Sequence, residues 1–127
     1  MSKYVLDASA VLALLDDEPG ADRVAAILMD AAIGTVNLAE IHTKLMERGQ
    51  SGRQALAELL SVIEEVVPFT EEHAAITGAL RTSTTQVGLS LGDRACLALG
   101  IALGAQVYTA ERLWAKLQLP CAIHLIR

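Results

Sequence analysis

Aromatic residues are scarce in this 127-residue chain, at 3% of the sequence. Hydrophobic residues still make up 53%, so the core must be built from Leu, Ala, Val and Ile, and this content argues against disorder. An excess of positive charge is also missing. The formal net charge of −5 argues against a protein that binds nucleic acid through bulk charge, although it allows a local basic rim around an acidic site.

Cysteine and long apolar runs are equally sparse. Cys96 and Cys121 are far apart and form no C-x-x-C motif, which is typical of reduced, buried cysteines in a cytosolic protein. The longest uncharged apolar-rich run, residues 95–108, is shorter than the roughly 18 residues that a membrane span needs. Acidic residues interrupt and follow the first apolar stretch, which argues against a signal peptide. We therefore expect a cytoplasmic protein.

The chain alternates between strand-like and helix-like segments. The predicted strands are residues 4–6, 33–36, 66–69, 105–109 and 121–125. The predicted helices are residues 8–15, 21–31, 37–48, 52–65, 71–82, 90–104 and 111–117. Such alternation implies crossover connections and a parallel sheet with helices on both faces. The length predicts a single domain, residues 1–127.

Four carboxylates lie where this sheet would bind a ligand. Asp7 directly follows the first strand, Glu40 and Asp93 lie near the starts of helices, and Glu111 comes two residues after the fourth strand. Ligands in open α/β sheets bind outside the carboxyl ends of the strands. We therefore expect the four side chains to face one another across one edge of the sheet.

Each acid also has a purely structural interpretation. Asp7 can cap the helix that follows it, "NLAE" and "SLGD" can each form a capping box that begins at Asn37 or Ser90, and Glu111 suits a helix start. Clustered carboxylates repel one another, however, and a divalent cation removes that conflict. Mg²⁺ and Mn²⁺ prefer oxygen ligands and can activate water for displacement at phosphorus.

These segments also resemble a known family. The stretches "VLDASAVLALL", "NLAEI", "LSLGDRACLALG" and "VYTAER" resemble the four motif blocks of the PIN-domain nucleases, and the small size is most similar to the VapC-type toxins of bacterial toxin–antitoxin pairs. The resemblance covers nearly the whole chain, and its first and third blocks are the most specific. It implies a three-layer sandwich, a homodimer, Mg²⁺- or Mn²⁺-dependent endoribonuclease activity and an antitoxin partner that occludes the site.

Carried over residue by residue, the resemblance implies that Asp7, Glu40 and Asp93 are the three principal catalytic and metal-binding acids. Ser9 and Thr109 match the hydroxyl residues beside the first acid and before the fourth. The family usually has Asp in "TAD", where this chain has Glu111. Glu keeps the charge and adds a methylene, so we expect Glu111 to contribute to the metal site directly or through water.

Basic residues close to the acids in sequence are candidate RNA contacts. These are Lys44, Arg94 and Arg112. The structural interpretation of Lys44 is an ion pair with Glu40 four residues earlier, and that of both arginines is a plain surface position. The apolar helical faces in residues 11–28 belong mainly to the core, but they could also receive an antitoxin helix.

Three other functions share features with this sequence. A receiver-like phosphoacceptor domain requires an acid pair and a late Lys after a strand, but the first strand here ends in a single acid. A haloacid-dehalogenase-type phosphatase requires D-x-D, and this chain has Asp7 and Ser9 in D-x-S. A catalytically inactive PIN fold that serves only as a binding module stays open, because Glu111 departs from the family pattern.

Overall fold

The computed structural model describes residues 2–49 and 51–127. Five parallel strands form one sheet in the order β3-β2-β1-β4-β5. The strands are β1 Tyr4–Leu6, β2 Ala31–Gly34, β3 Glu65–Val67, β4 Gln106–Thr109 and β5 Ile123–Leu125. Receiver-like domains have the order 2-1-3-4-5, so the sheet topology excludes that alternative.

Helices connect the strands and cover both faces of the sheet. They are α1 Ala8–Leu15, α2 Ala21–Ile27, α3 Thr35–Glu47, α4 Arg53–Val62, α5 Glu71–Ser83 and α6 Leu91–Leu103, with 3₁₀ helices at Leu28–Asp30 and Arg112–Lys116. Within the described residues, none of these helices is both long enough and apolar enough to cross a membrane. The architecture is the three-layer sandwich that the sequence predicts.

Each face of the sheet has its own hydrophobic core, because successive residues of a strand point to opposite faces. Leu6 of β1 packs with α1 to α4 in the first core, whereas Val5 packs with α5 and α6 in the second. Trp114 is also buried in the second core. The aliphatic composition therefore fills two cores, and the sheet between them is covered on both sides.

The predicted positions of β2 and of the start of α3 are wrong by two residues. The strand occupies Ala31–Gly34 instead of 33–36, and α3 begins at Thr35 instead of at 37. The predicted helix 21–31 correspondingly ends at Ile27 and continues as a 3₁₀ turn. Gly34, in extended conformation, is the N-cap of α3. Asn37 therefore lies inside the helix, and the predicted capping box of Asn37 with Glu40 does not form.

The remaining differences lie at the ends of elements, and the predicted strand 121–125 is shortened to Ile123–Leu125. Helix α4 ends at Val62, and β3 ends at Val67, before Pro68. Proline cannot donate a hydrogen bond to a neighbouring strand, which accounts for this end. The predicted helix 111–117 is a 3₁₀ helix at Arg112–Lys116.

The order of the strands places the site. The chain runs from β1 outward to β3 on one side and then crosses back to β4, so β1 and β4 are neighbours at the switch point of the sheet. Crevices form at such switch points, outside the carboxyl ends of the strands. Asp7 follows β1 and Thr109 ends β4, so the two residues meet there.

Candidate active site

Asp7 follows β1 and caps α1, as the structural interpretation of this residue predicts. It is only 3% exposed. Its Oδ2 accepts hydrogen bonds from the Ser9 N–H at 3.4 Å, the Ser9 hydroxyl at 2.6 Å and the Thr109 hydroxyl at 3.0 Å. None of these three bonds uses Oδ1. Capping and ligand binding are therefore compatible, because they require different oxygens of the same carboxylate.

The surroundings of Asp7 make its charge costly. Burial raises its pKa from 3.8 to about 6, hydrogen bonds from Ser9 and Thr109 oppose that rise, and the charge of Asp93 adds to it. Burial and a like charge both disfavour an ionised carboxylate, whereas a nearby cation favours it. The pocket around Asp7 is thus suited to a positive ligand.

Ser9 and Thr109 connect α1 to the turn after β4. Their hydroxyl oxygens are 3.2 Å apart. The Ala110 N–H donates to Ser9 Oγ at 2.9 Å, and the Glu111 N–H donates to Thr109 Oγ1 at 3.0 Å. The two hydroxyls predicted to support the acids therefore hold Asp7 and fix the backbone from which Glu111 extends.

Glu40 is held by a residue whose role the sequence did not reveal. Asn37 Nδ2 donates to Glu40 Oε1 at 2.8 Å and to the Gly92 carbonyl oxygen at 3.1 Å. Asn37 is 1% exposed, so its amide lies in the interface between α3 and α6. The contact joins residues 55 positions apart, and no local sequence pattern could have indicated it.

Asp93 and Glu111 occupy different environments. Asp93 forms the predicted capping box of α6: its N–H donates to Ser90 Oγ at 3.1 Å, and its Oδ2 accepts from the Ser90 N–H at 3.0 Å. Glu111 is exposed and precedes the 3₁₀ helix, without a side-chain capping bond. The helix-start interpretation therefore explains Asp93 in part, and Glu111 also stands at a helix start, although its side chain makes no capping bond.

All four predicted acids line one cleft of about 170 Å³. Its walls are formed by Asp7, Ala8, Ser9, Leu12, Glu40, Lys44, Asp93 and Glu111. Among residues 2–49 and 51–127, no three His, Cys, Asp or Glu side chains converge into a ready-made metal cluster. Mg²⁺ typically uses one or two protein carboxylates and keeps several waters, so this oxygen-rich cleft suits such an ion without a closed cage.

The basic candidates differ in their access to the cleft. Lys44 lines it, and its Nζ lies 3.5 Å from Glu47 instead of pairing with Glu40. The predicted pairing of Lys44 with Glu40 is therefore wrong. Arg94 Nη1 donates to the Thr77 carbonyl oxygen of α5 at 2.9 Å. Neither Arg94 nor the exposed Arg112 is among the described residues that line the cleft.

The cysteines are not part of the cleft. Both are free thiols, Cys96 buried and Cys121 partly buried. Burial raises the pKa of each thiol, and for Cys96 the negative charge of Asp7 raises it further. A raised pKa keeps a thiol protonated and poorly nucleophilic. Their environment agrees with the expectation of buried, reduced residues.

Comparison with known proteins identifies a family for this chain. The family model for the PIN domain matches residues 4–118. A search of curated protein sequences finds no match.

Solved structures share the fold along nearly the entire chain. VapBC from Salmonella typhimurium, solved bound to DNA, matches with a TM-score of 0.79 and 16% identity, covering 100% of both chains. VapBC2 from Rickettsia felis, bound to a promoter DNA fragment, matches with a TM-score of 0.78 and 18% identity, over 96% of this chain and 97% of that one. The toxin–antitoxin system VapBC-5 from Mycobacterium tuberculosis matches with a TM-score of 0.68 and 23% identity, over 98% of each.

Proposed function

This chain belongs to the PIN domain family, and from that premise we propose that it is a divalent-metal-dependent endoribonuclease and the toxin of a toxin–antitoxin pair. The observation that carries the proposal is the cleft in which Asp7, Glu40, Asp93 and Glu111 meet. The Ser9 hydroxyl also lines that cleft, but it is engaged with Asp7 and Ala110. The single domain of residues 1–127 and a homodimer are further parts of this proposal.

The donor chemistry of the cleft fits a hard divalent cation. Asp7, Glu40 and Asp93 would hold Mg²⁺ or Mn²⁺, with Glu111 acting directly or through water, because carboxylate oxygens are the ligands that these ions prefer. Asp7 offers Oδ1, which none of the bonds from Ser9 and Thr109 uses. When bound, the cation supplies charge stabilisation at the phosphate and lowers the pKa of the attacking water.

The residues of the chain supply orientation. Ser9 and Thr109 keep the carboxylate of Asp7 in one rotamer through Oδ2. Exposed Lys44 on the rim is placed to meet an RNA phosphate, which offsets the repulsion between an acidic protein and a polyanion. Exposed Arg112 is a second candidate for contact with RNA, whereas Arg94 is hydrogen-bonded to Thr77 of α5.

An apolar groove supports the antitoxin as partner. It has a volume of about 260 Å³ and is lined by Leu14, Leu15, Leu28, Ala55, Glu58, Leu59 and Val62. The groove uses part of the predicted apolar surface of residues 11–28 and adds α4 to it; Val11 and Val24 are fully buried in the core instead. Amphipathic helices bind such grooves through apolar anchors, and the relatives named above are toxin–antitoxin complexes.

The same partner could also occlude the acids. Helix α1 spans eight residues from Ala8 at the cleft to Leu15 at the groove, a length of about 12 Å. An antitoxin helix in the groove could therefore extend an Arg to Asp7 or Asp93, because guanidinium groups pair well with carboxylates.

The direct test is cleavage of RNA by the purified protein. We expect cleavage with Mg²⁺ or Mn²⁺, none in excess EDTA, and none of single-stranded DNA of the same sequence. The Asp7→Asn variant, purified identically, controls for contaminating nuclease. Cleavage that persists in EDTA would exclude the metal mechanism, and a wild-type protein that never cleaves RNA would favour an inactive binding module.

A further inference from the structure

Gly92 leaves the space that the carboxylate of Glu40 occupies. A Cβ atom at Gly92 would overlap Glu40 Oε2 and lie 2.5 Å from Cδ and 2.8 Å from Oε1. The backbone of Gly92 is not in the left-handed region, so its conformation does not require glycine. Glycine in a helix destabilises it relative to alanine. A side chain at this position would therefore displace the carboxylate of Glu40, which is the end of a flexible side chain.

The amide of Asn37 links the same two groups. It donates to Glu40 Oε1 at 2.8 Å and to the carbonyl oxygen of Gly92 at 3.1 Å. Gly92 directly precedes Asp93, whose backbone is fixed by the capping box with Ser90. Asn37 thus fixes the carboxylate of Glu40 relative to the first turn of α6, where the neighbouring acid begins.

We infer that Asn37 and Gly92 are positioning residues that hold Glu40 next to Asp93 for cation binding, Asn37 by its amide and Gly92 by its missing side chain. This inference rests on the proposed function, because it assigns a cation to the cleft. A positioning role differs from a purely structural one because both residues then act through Glu40. Removing the Glu40 carboxylate should therefore remove the effect of changing either of them.

The first test needs no metal. Gly92→Ala is made in wild-type and Glu40→Ala backgrounds, and thermal melting is measured in EDTA. We expect Gly92→Ala to raise the melting temperature more in the Glu40→Ala background, because the gain in helix propensity is then not offset by displacement of Glu40. Gly78→Ala in α5 is the matched control. Nothing lies within 4 Å of a Cβ there, so its shift should be equal in both backgrounds.

The second test is Mn²⁺ binding by isothermal titration calorimetry. Changing a residue that orients a metal ligand typically weakens binding by about tenfold or more, and we expect that loss for Gly92→Ala and Asn37→Ala. Neither change should weaken binding further once Glu40 is alanine, and Gly78→Ala should bind as wild type. If Asn37→Ala fails to fold, Gly92→Ala still provides the comparison.

The outcomes separate the inference from the proposed function. If wild-type protein binds no Mn²⁺, the proposed metal site is wrong, and so is the role of Asn37 and Gly92 in cation binding. If Gly92→Ala shifts the melting temperature equally in both backgrounds, the contact between Gly92 and Glu40 is itself disproved. If Mn²⁺ binds but Gly92→Ala and Asn37→Ala retain wild-type affinity, the two residues only pack α3 against α6. If their losses persist unchanged in Glu40→Ala, they do not act through Glu40.

Discussion

At the residue scale, Asp7 combines burial, three hydrogen bonds and a like-charged neighbour. Its pKa in the folded state, about 6, lies above the ordinary value of 3.8, so the folded state binds this proton more tightly than the unfolded state does. The contribution of Asp7 to metal-free stability therefore falls as the pH rises from about 4 to about 6, and the loss of this contribution is complete above that window. The shift corresponds to a cost of about 3 kcal/mol at neutral pH.

Asp7→Asn tests this cost. The amide has a similar shape and no charge, so we expect the variant to melt above wild type in EDTA at pH 7.5, and the difference to shrink at pH 4.5, where Asp7 is protonated. Mn²⁺ should stabilise wild type but not the variant. Asp17→Asn is the control, because Asp17 is exposed and its left-handed backbone suits Asn. A variant that melts well below wild type at both pH values would show that Asp7 is mainly a structural cap.

Among the four acids of the cleft, Glu111 has the least restrained side chain. Its side chain is exposed, and only its backbone N–H is tied to Thr109. We therefore expect Glu111→Gln to reduce RNA cleavage less than Asp7→Asn does, and Glu111→Asp, which keeps the charge, to reduce it less than Glu111→Gln. Initial rates at saturating Mn²⁺ measure both differences. A complete loss in Glu111→Gln would contradict this order and indicate a direct role.

At the scale of elements, the start of α6 couples helix stability to the site. Ser90 Oγ accepts the N–H of Asp93, so Ser90→Ala should cost about 1 kcal/mol and loosen the backbone from which the Asp93 carboxylate extends, although the Ser90 N–H that donates to Asp93 Oδ2 is kept. Helix α5 carries the same motif, since Thr70 accepts the N–H of His73, but it presents no acid to the cleft. We therefore expect Ser90→Ala to lower both melting temperature and RNA cleavage, and Thr70→Ala to lower only the melting temperature.

Ser90→Ala and Thr70→Ala are compared by their rates of RNA cleavage, measured well below the melting temperatures of both variants so that both proteins are folded. If Ser90→Ala cleaves RNA as fast as Thr70→Ala, the capping box stabilises α6 without positioning Asp93.

Elements whose ends carry a local signal were predictable, and those without one were not. Ser90 with Asp93 at the start of α6 and Gly104 at its end define the helix in the sequence and in the structure. The stretch from 31 to 36 reads AAIGTV and has β-branched residues on both sides of Gly34, so the pattern does not mark where β2 ends. At this boundary Gly34 packs closely against α6, because a Cβ atom built there would lie 3.3 Å from Leu99 Cδ2.

The same reasoning explains the site. The convergence of the acids was predictable because Asp7, Asp93 and Glu111 follow strands or begin helices, and parallel strands bring those positions to one edge. Glu40 reaches the same cleft from the second turn of α3. The role of Asn37 was not predictable, because its partner Gly92 is 55 residues away. Its correct assignment depended on a helix boundary that only the tertiary structure determines.

At the scale of the whole molecule, the two proposed binding sites lie at opposite ends of α1. The acidic cleft takes in Asp7, Ala8 and Ser9 at its start, and the apolar groove takes in Leu14 and Leu15 at its end. A partner that fills the groove can inhibit the cleft without entering the core. Catalysis and inhibition should therefore be separable by substitution in the groove.

Val62→Lys makes that separation. Val62 is 49% exposed at the end of α4 and lines the groove, so a charge there should weaken an apolar helix contact but leave the fold and the cleft intact; a cation also suits a helix C-terminus. Met46→Lys is the matched control, because Met46 is 64% exposed near the end of α3 and lies outside the groove. Growth of the host cell is measured with each variant expressed alone and together with the antitoxin that the proposed function expects a small neighbouring gene to encode.

We expect wild type and both lysine variants to arrest growth when expressed alone, and Asp7→Asn to be harmless at the same soluble level. Co-expression of the neighbouring gene should restore growth with wild type and Met46→Lys but not with Val62→Lys, because only the groove variant escapes its partner. Full rescue of Val62→Lys would place the antitoxin elsewhere on the molecule. Two results would argue against a toxin that acts through the acidic cleft: growth that is unaffected by abundant wild-type protein, and growth that Asp7→Asn arrests as strongly as wild type does. In the proposed mechanism the toxicity depends on the carboxylate of Asp7, so removing that carboxylate must remove the growth arrest.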